Sequence, residues 1–271
     1  MKPTVAVITP STGSRHLANC IDSVRRQTYD GCAHYIIADG PEATVAINEA
    51  MSKADNANAR LRVLSLPANT GQGRYHGYRI CAAMPLLLNE DVLFFLDDDN
   101  SYSEEHVATS LDALSRGSAE WGYSLRSLVT EGGSWIVDDN CDSLGYWRRA
   151  ESFLGPSDGM TSDYANYYAT FPFLVDTSCM FGTTQFLRKV VYRLLSHSKG
   201  DAAFSSYLVR EHDGVGTGRF TMLYRVRSEN ELRTRSYFER GNAAMRRHYG
   251  STFPWCTFRA YDALSRCLSV Y

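Results

Sequence analysis

Four apolar residues in a row, Val5-Ala6-Val7-Ile8, run into Thr9-Pro10-Ser11-Thr12-Gly13. A short, wholly apolar run closed by turn residues predicts a strand buried on both faces of a parallel sheet. Leu17, Ile21, Val24 and Thr28 then recur at helical spacing, and a second apolar run, Tyr35-Ile36-Ile37-Ala38, ends at Asp39-Gly40. This is one β-α-β unit, and the rhythm repeats. A helix is expected near 44–53, a strand over 61–66, a helix over 75–87 bent by Pro85, and a strand over 92–96 that runs into Asp97-Asp98-Asp99-Asn100. Ser101 and Glu104 have the spacing of a capping box, which predicts a helix with Val107, Leu111 and Leu114 facing inward. The alternation predicts an α/β fold with a doubly wound, mostly parallel sheet. In such sheets the ligand crevice lies beyond the carboxyl ends of the strands, so residues 9–11, Asp39 and residues 97–100 are expected to open onto one edge.

Beyond residue 118 the spacing loses this regularity. Segments rich in Trp, Tyr and Gly predict a half made of mixed strands and long loops. Helical spacing returns over 185–196 and 202–210, residues 221–226 read as a strand, and a basic helical stretch covers 236–248. No linker rich in Pro, Gly or Ser cuts the chain. The expected organisation is one domain in two halves, 1–117 and 118–235, followed by a basic C-terminal extension, 236–271.

Composition narrows the class. With 44% hydrophobic and 21% charged residues among 271, the chain is neither disordered nor collagen-like nor a coiled coil. A balance of 28 Lys+Arg against 30 Asp+Glu gives no overall field to recruit nucleic acid, and no such partner is expected. The charge is unevenly placed, however: residues 219–271 hold ten arginines against four acids, and residues 101–218 hold nine bases against fifteen acids. Such an end either meets a phosphate or acidic acceptor or is a solvated face offset by the acidic middle. The seven cysteines, from Cys20 to Cys267 with no C-x-x-C pair, fit neither a disulfide framework nor a zinc site and suit a reducing compartment. No signal-peptide pattern precedes the first strand, and the longest apolar stretch, 84–96, is broken by Asn89-Glu90-Asp91 and falls short of the ~20 residues that span a bilayer. The expectation is a cytoplasmic protein without a transmembrane segment.

Three consecutive aspartates at the end of a buried strand repel one another and raise one another's pKa unless a cation neutralises them. Oxygen-only ligands suit magnesium or manganese, which take one or two protein carboxylates and complete their shell with water and phosphate oxygens. Asp97, Asp98 and Asp99 therefore read either as a divalent-metal site that brings a diphosphate or as an acidic turn capping the next helix. Gly71 and Gly73 with Arg74 make either a phosphate-facing loop or a plain turn before a helix. His212, in Arg210-Glu211-His212-Asp213-Gly214, is a candidate for reaching the diphosphate or the metal, packing being the alternative. Trp135, Trp147, Tyr164, Tyr167 and Tyr168 are candidates either for stacking on an acceptor sugar or for the core.

Thr9-Pro10-Ser11, the helix ending Ser23-Val24-Arg25-Arg26-Gln27-Thr28-Tyr29, the strand ending Ala38-Asp39-Gly40 and the Asp97-Asp98-Asp99-Asn100 loop together resemble family-2 glycosyltransferases of the GT-A fold. The resemblance covers roughly the first 110 residues by order and spacing of several motifs. Val175-Asp176-Thr177-Ser178-Cys179-Met180-Phe181 and Gly200-Asp201-Ala202-Ala203-Phe204 resemble the acceptor-side half of the same family, notably members similar to the spore-coat polysaccharide enzyme. The resemblance implies that Thr9, Pro10 and Ser11 line the nucleoside pocket, that Asp39 accepts a hydrogen bond from a pyrimidine base, and that Asp97 to Asp99 form a D-x-D-like site. There Asp99 is favoured as the direct metal ligand and Asp97 or Asp98 meets ribose or water. Asp201 would be the general base, the alternative being a helix N-cap. Where the family has Asp-Asp-Gly-Ser after the second strand, this chain has Ala38-Asp39-Gly40-Pro41. The implied activity is metal-dependent, inverting transfer of a sugar from a nucleotide-diphosphate donor to a carbohydrate or other hydroxyl acceptor, with manganese or magnesium as cofactor. Two other readings stand beside it. A nucleotidyltransferase would also place carboxylates and a metal on such a sheet, but its glycine- and lysine-rich phosphate signature after the first strand is missing. A non-catalytic sugar-nucleotide or glycan-binding module would share the fold without turnover.

Overall fold

The computed structural model describes residues 2–53, 60–140, 173–195, 200–251, 253 and 255. Its frame is the expected alternation: β1 (Val5–Ser11), α1 (Leu17–Arg25), β2 (Cys32–Ala38), α2 (Pro41–Lys53), β3 (Leu61–Ser65), α3 (Tyr78–Leu87) and β4 (Val92–Phe95). β1 lies between β2 and β4 and runs parallel to both, with Val5 opposite Cys32 on one side and Val92 on the other. Val5, Ala6, Val7 and Ile8 are wholly buried, as a strand covered on both faces requires. α2 starts three residues earlier than its periodicity suggests because Pro41 supplies the first helical position, where a missing N–H costs nothing. α3 runs through Pro85. Two carbonyls at its end, those of Pro85 and Leu88, accept from the Arg188 guanidinium at 2.9 and 2.7 Å.

The second half extends the same sheet with strands of both directions. β5 (Ser101–Tyr102), α4 (His106–Gly117), β6 (Trp121–Val129), β7 (Trp135–Asp138), β8 (Met180–Thr183), α5 (Thr184–Val190), α6 (Gly200–Glu211), β9 (Val215–Arg225) and α7 (Glu231–Tyr249) follow in chain order. The strand order is β3-β2-β1-β4-β8-β6-β9-β5, with β7 paired to β6. β8 is antiparallel to β4 and β6, while β6 and β9 are parallel. Phe94 of β4 stacks on Phe181 of β8 with ring centroids 5.3 Å apart, which joins the two halves in one core. α7, read from sequence as part of a basic extension, buries Phe238, Asn242 and Met245, and Asn242 bonds the backbone of Asp138 and Asn140. Its apolar face belongs to the core, and its arginines 233, 240, 246 and 247 stay exposed.

The capping box at Ser101 is not formed. Ser101 and Tyr102 pair with Leu223 and Met222 of β9, so α4 begins only at His106. Gln27, just beyond α1, does the capping instead: its Oε1 accepts from Val107 N at 2.9 Å and its Nε2 donates to the Ser103 carbonyl at 2.7 Å. With a strand between Asp99 and the helix, the aspartate triplet does not cap α4.

Candidate functional site

Because β1, β2 and β3 step one way across the sheet and β4 returns to the other side of β1, the connections reverse between β1 and β4. A crevice opens at the carboxyl ends of strands at such a point. Here it encloses about 660 Å³. Six carboxylates line it, Asp39, Asp97, Asp98, Asp99, Asp176 and Asp201, and Arg227 is the one arginine or lysine among its lining residues.

On the β1 side, Ser11 Oγ donates to Asp98 Oδ2 at 2.6 Å and Ser14 N donates to the same oxygen at 3.2 Å. The loop after β1 is thereby tied to the loop after β4. Pro10 lines the crevice and packs on Gly77, where a Cβ would come within 2.8 Å of the proline ring, so only glycine allows the approach. Thr9 lies elsewhere. It is wholly buried, and its Oγ1 is 2.9 Å from His34 Nε2. Its hydroxyl is taken up under α1 and β2, and the crevice is built without it.

Asp39 is buried at the crevice wall and spends its acceptors on the chain itself. Oδ1 accepts from Thr70 N at 2.6 Å and Thr70 Oγ1 at 2.9 Å, and Oδ2 accepts from Gly71 N at 3.1 Å. This carboxylate fixes the 69–71 loop, which contributes Asn69 and Gly71 to the lining. Asp39→Ala leaves those donors without their acceptor, and a loss of roughly 1–3 kcal/mol is expected in urea denaturation. Gln72–Arg74 form a 3-10 turn with Gly73 at φ 74°; the Arg74 side chain lies outside the described residues.

The triplet itself is held by its backbone. Asp97 N donates to Ser178 Oγ at 3.1 Å, and the Asp99 carbonyl accepts from Arg225 Nε at 3.2 Å. The Asp97 side chain faces the open crevice, and its pKa is raised well above the usual carboxylate range by the surrounding protein and by repulsion from Asp176, Asp99 and Asp98. Asp99 is also raised, by burial first and by Asp98 second, with Arg227 pulling the other way.

Asp201 is the second residue of α6, and its Oδ1 accepts from Ala202 N at 2.8 Å. Burial, then repulsion from Asp176, pushes its pKa up to about 6, against the backbone of Ala202, the charge of Arg126 and a hydrogen bond with Tyr78. Sequence reasoning did not bring Tyr78 or Arg227 to the site, and the structure does. Tyr78 lies over Gly200, where a Cβ would meet its ring at 2.6 Å. Asp176 is placed by α6 as well: Val175 N donates to Ser205 Oγ at 2.9 Å and Phe173 N to Ser206 Oγ at 3.2 Å, which pins the 173–176 segment along the helix. Arg126 then bridges Asp176 and Asp139 at 2.8 and 2.9 Å, so a guanidinium stands behind the carboxylates without entering the crevice.

His212 is not among these groups. It follows the far end of α6, about 16 Å along the helix from Asp201. Its Nε2 is 3.1 Å from Tyr207 Oη and its ring packs edge-on against Phe186, so it packs there, outside the crevice lining. Trp135 is exposed and donates to Asp138 in the β6–β7 hairpin at 3.0 Å. Trp147, Tyr164, Tyr167 and Tyr168 lie outside the described residues. Among the described residues no helix is long and apolar enough to cross a membrane.

Residues 6–121 match glycosyl transferase family 2. The match runs from β1 to the first residue of β6 and so covers the Ser11, Asp39 and Asp97–Asp99 side of the crevice. The family-2 resemblance read from the sequence is carried by this segment, and the fold is of the GT-A type. No curated protein matches the chain. Solved structures that share the fold include S. aureus TarS 1-349 in complex with UDP-GlcNAc, at 10% identity and a TM-score of 0.51 over 85% of this chain and 61% of that one, and TarS 1-349 in complex with UDP, at 10% identity and 0.50 over 90% and 65%. The chain thus spans less than two thirds of the length of these structures.

Proposed function

We propose that the chain is a glycosyltransferase that moves a sugar from a nucleoside diphosphate to a hydroxyl acceptor with inversion at the anomeric carbon. The observation that carries this reading is six carboxylates facing a single arginine at the reversal point of a family-2 sheet. So many like charges in one crevice favour a cationic or cation-carrying ligand. The structures of similar fold hold UDP-GlcNAc and UDP, which makes uridine nucleotides the first donors to test.

A divalent cation fits the residues present. Among the described residues no three or more His, Cys, Asp or Glu side chains form a ready-made cage. One or two carboxylates at the end of β4 remain, and these suit magnesium or manganese when water and phosphate oxygens complete the shell. Asp99, with Asp97, would hold the ion, which when bound supplies neutralisation of charge on the departing diphosphate.

The protein's own groups divide the remaining work. Ser11 and Asp98 close the nucleoside end. Arg227, at the mouth of β9, offers a charge-assisted donor to the diphosphate. Asp201, held near 6 in a crevice beside Tyr78, has an acid strength matched to taking a proton near neutral pH. It accepts the acceptor's hydroxyl proton as that oxygen bonds to the anomeric carbon and the diphosphate oxygen leaves from the opposite face. Such a tuned carboxylate favours an enzyme over a binding module. Arg227→Ala is expected to weaken UDP binding about tenfold or more without loss of circular-dichroism signal, since the residue is exposed; calorimetry reads the change.

The reading as a whole is tested by incubating the protein with UDP-sugars and manganese. Release of UDP that quickens with an acceptor supports it. Pyrophosphate release marks a nucleotidyltransferase, and tight binding with no product marks a binding module.

A further inference from the structure

Four of the nine large apolar side chains that stand exposed among the described residues sit on one face outside the crevice: Leu86 at 62%, Leu87 at 67%, Tyr192 at 53% and Leu195 at 42% exposure. The backbone explains the grouping. On α3 the exposed positions 79, 83, 86 and 87 follow helical spacing and form one stripe. On α5 and the 3-10 turn Val191–Leu195 that continues it, positions 185, 188, 189 and 192 form a second. Arg188 locks the two stripes side by side through its bonds to the Pro85 and Leu88 carbonyls. Between them lies a groove of about 390 Å³, lined by Tyr75, Ala82, Leu86, Val191, Tyr192 and Leu195 among others.

The charge along these two stripes is one-sided. Residues 75–88 and 184–195 contain Arg79, Arg188, Lys189 and Arg193 and no acid. Arg79 lies 4.0 Å from the Tyr75 ring centre and donates to the Thr70 carbonyl at 2.7 Å, and Arg193 lies over the rings of Tyr207 and Tyr192, at 4.6 and 5.2 Å. Exposed leucines and tyrosine ringed by cations are what an interfacial element presents to a bilayer with anionic headgroups. The apolar groups enter the boundary and the cations meet lipid phosphates. A solvated face has no use for four exposed large apolar groups on two adjoining stripes.

We propose that this face seats the protein on an anionic membrane surface. Tyr75 and Arg79 line the groove, while His76, Gly77 and Tyr78, in the same short stretch of chain, line the crevice. Seating here sets the crevice beside the bilayer, and, on the sugar-transfer reading, within reach of a hydroxyl acceptor carried there.

The test is co-sedimentation of the full chain with vesicles of phosphatidylcholine alone and of phosphatidylcholine mixed with phosphatidylglycerol. Partitioning onto the anionic vesicles is expected to exceed that onto the neutral ones by about tenfold or more and to fall in high salt. The double variant Leu86→Asp/Leu87→Asp should lose about tenfold or more of that binding. Its melting temperature and UDP affinity should not change, because both side chains are exposed and neither lies in the crevice. Failure to bind, or equal binding to both vesicles or by both proteins, overturns the proposal. So does a sharp fall in melting temperature of the variant, which would mean that the chain covers this face itself, or a wild-type dimer that the variant dissociates, which would mean that a second copy does. UDP binding and donor hydrolysis are read on the same samples, so loss of the membrane result and loss of the glycosyltransferase reading are separable.

Discussion

Asp201→Asn is expected to slow sugar transfer by ~100-fold or more at neutral pH while leaving UDP affinity unchanged. Asparagine keeps an oxygen that accepts from Ala202 N, so α6 keeps its start, but it takes up no proton. The wild-type rate should fall on the acid side of about pH 6, where Asp201 becomes protonated. A second, independent readout comes from stability. A carboxyl whose pKa is raised in the folded state contributes stability that is complete below its unfolded value and is lost as pH rises through the folded one. Above pH 6 the ionised Asp201, crowded by burial and by Asp176, therefore costs stability, by up to about 3 kcal/mol. The asparagine variant should melt higher than wild type near pH 8 and at the same temperature near pH 4. Transfer at close to the wild-type rate would remove Asp201 from the chemistry and turn attention to Asp176, its neighbour in the crevice. Equal melting at both pH values would mean that its carboxyl is not crowded at all.

Asp99→Ala should abolish the manganese-dependent part of UDP affinity, a loss of more than about tenfold in calorimetry with and without the ion. The fold should survive. The turn is held by main-chain bonds from Asp97 N to Ser178 and from Arg225 to the Asp99 carbonyl, none of which uses the Asp99 side chain. Removing one of three adjacent carboxylates also relieves repulsion that raises Asp97, so the metal-free variant should be at least as stable as wild type. An unchanged manganese response in the variant would leave the triplet as a wall of the crevice and nothing more.

The pattern of apolar runs and helical spacing was enough to set β1 to β4 with their intervening helices, and with them the place of Asp97–Asp99 at the edge where a ligand enters. Such information is local, because burial of a four-residue run on both faces leaves few other architectures open. Whether a polar group reaches the crevice was not local. Thr9 and Ser11 are two residues apart on one strand face, yet Thr9 stops under α1 beside Cys20 and His34 while Ser11 passes the end of the sheet and meets Asp98. The Ser101 capping box had the right spacing and lost to pairing with Leu223, a partner more than a hundred residues away. His212 and Asp201 flank one helical run, and only the packing of α6 decides that its Asp201 end faces the carboxylates while the other end faces Phe186. Asp176, Arg126 and Asp139, Tyr78 over Gly200, and Arg227 singled out from an arginine-rich tail all depend on chain segments brought together by the sheet order. Sequence period fixes which face a residue occupies. The shared low-dielectric space that sets its charge state, its partners and its access to a ligand arises only when distant elements pack.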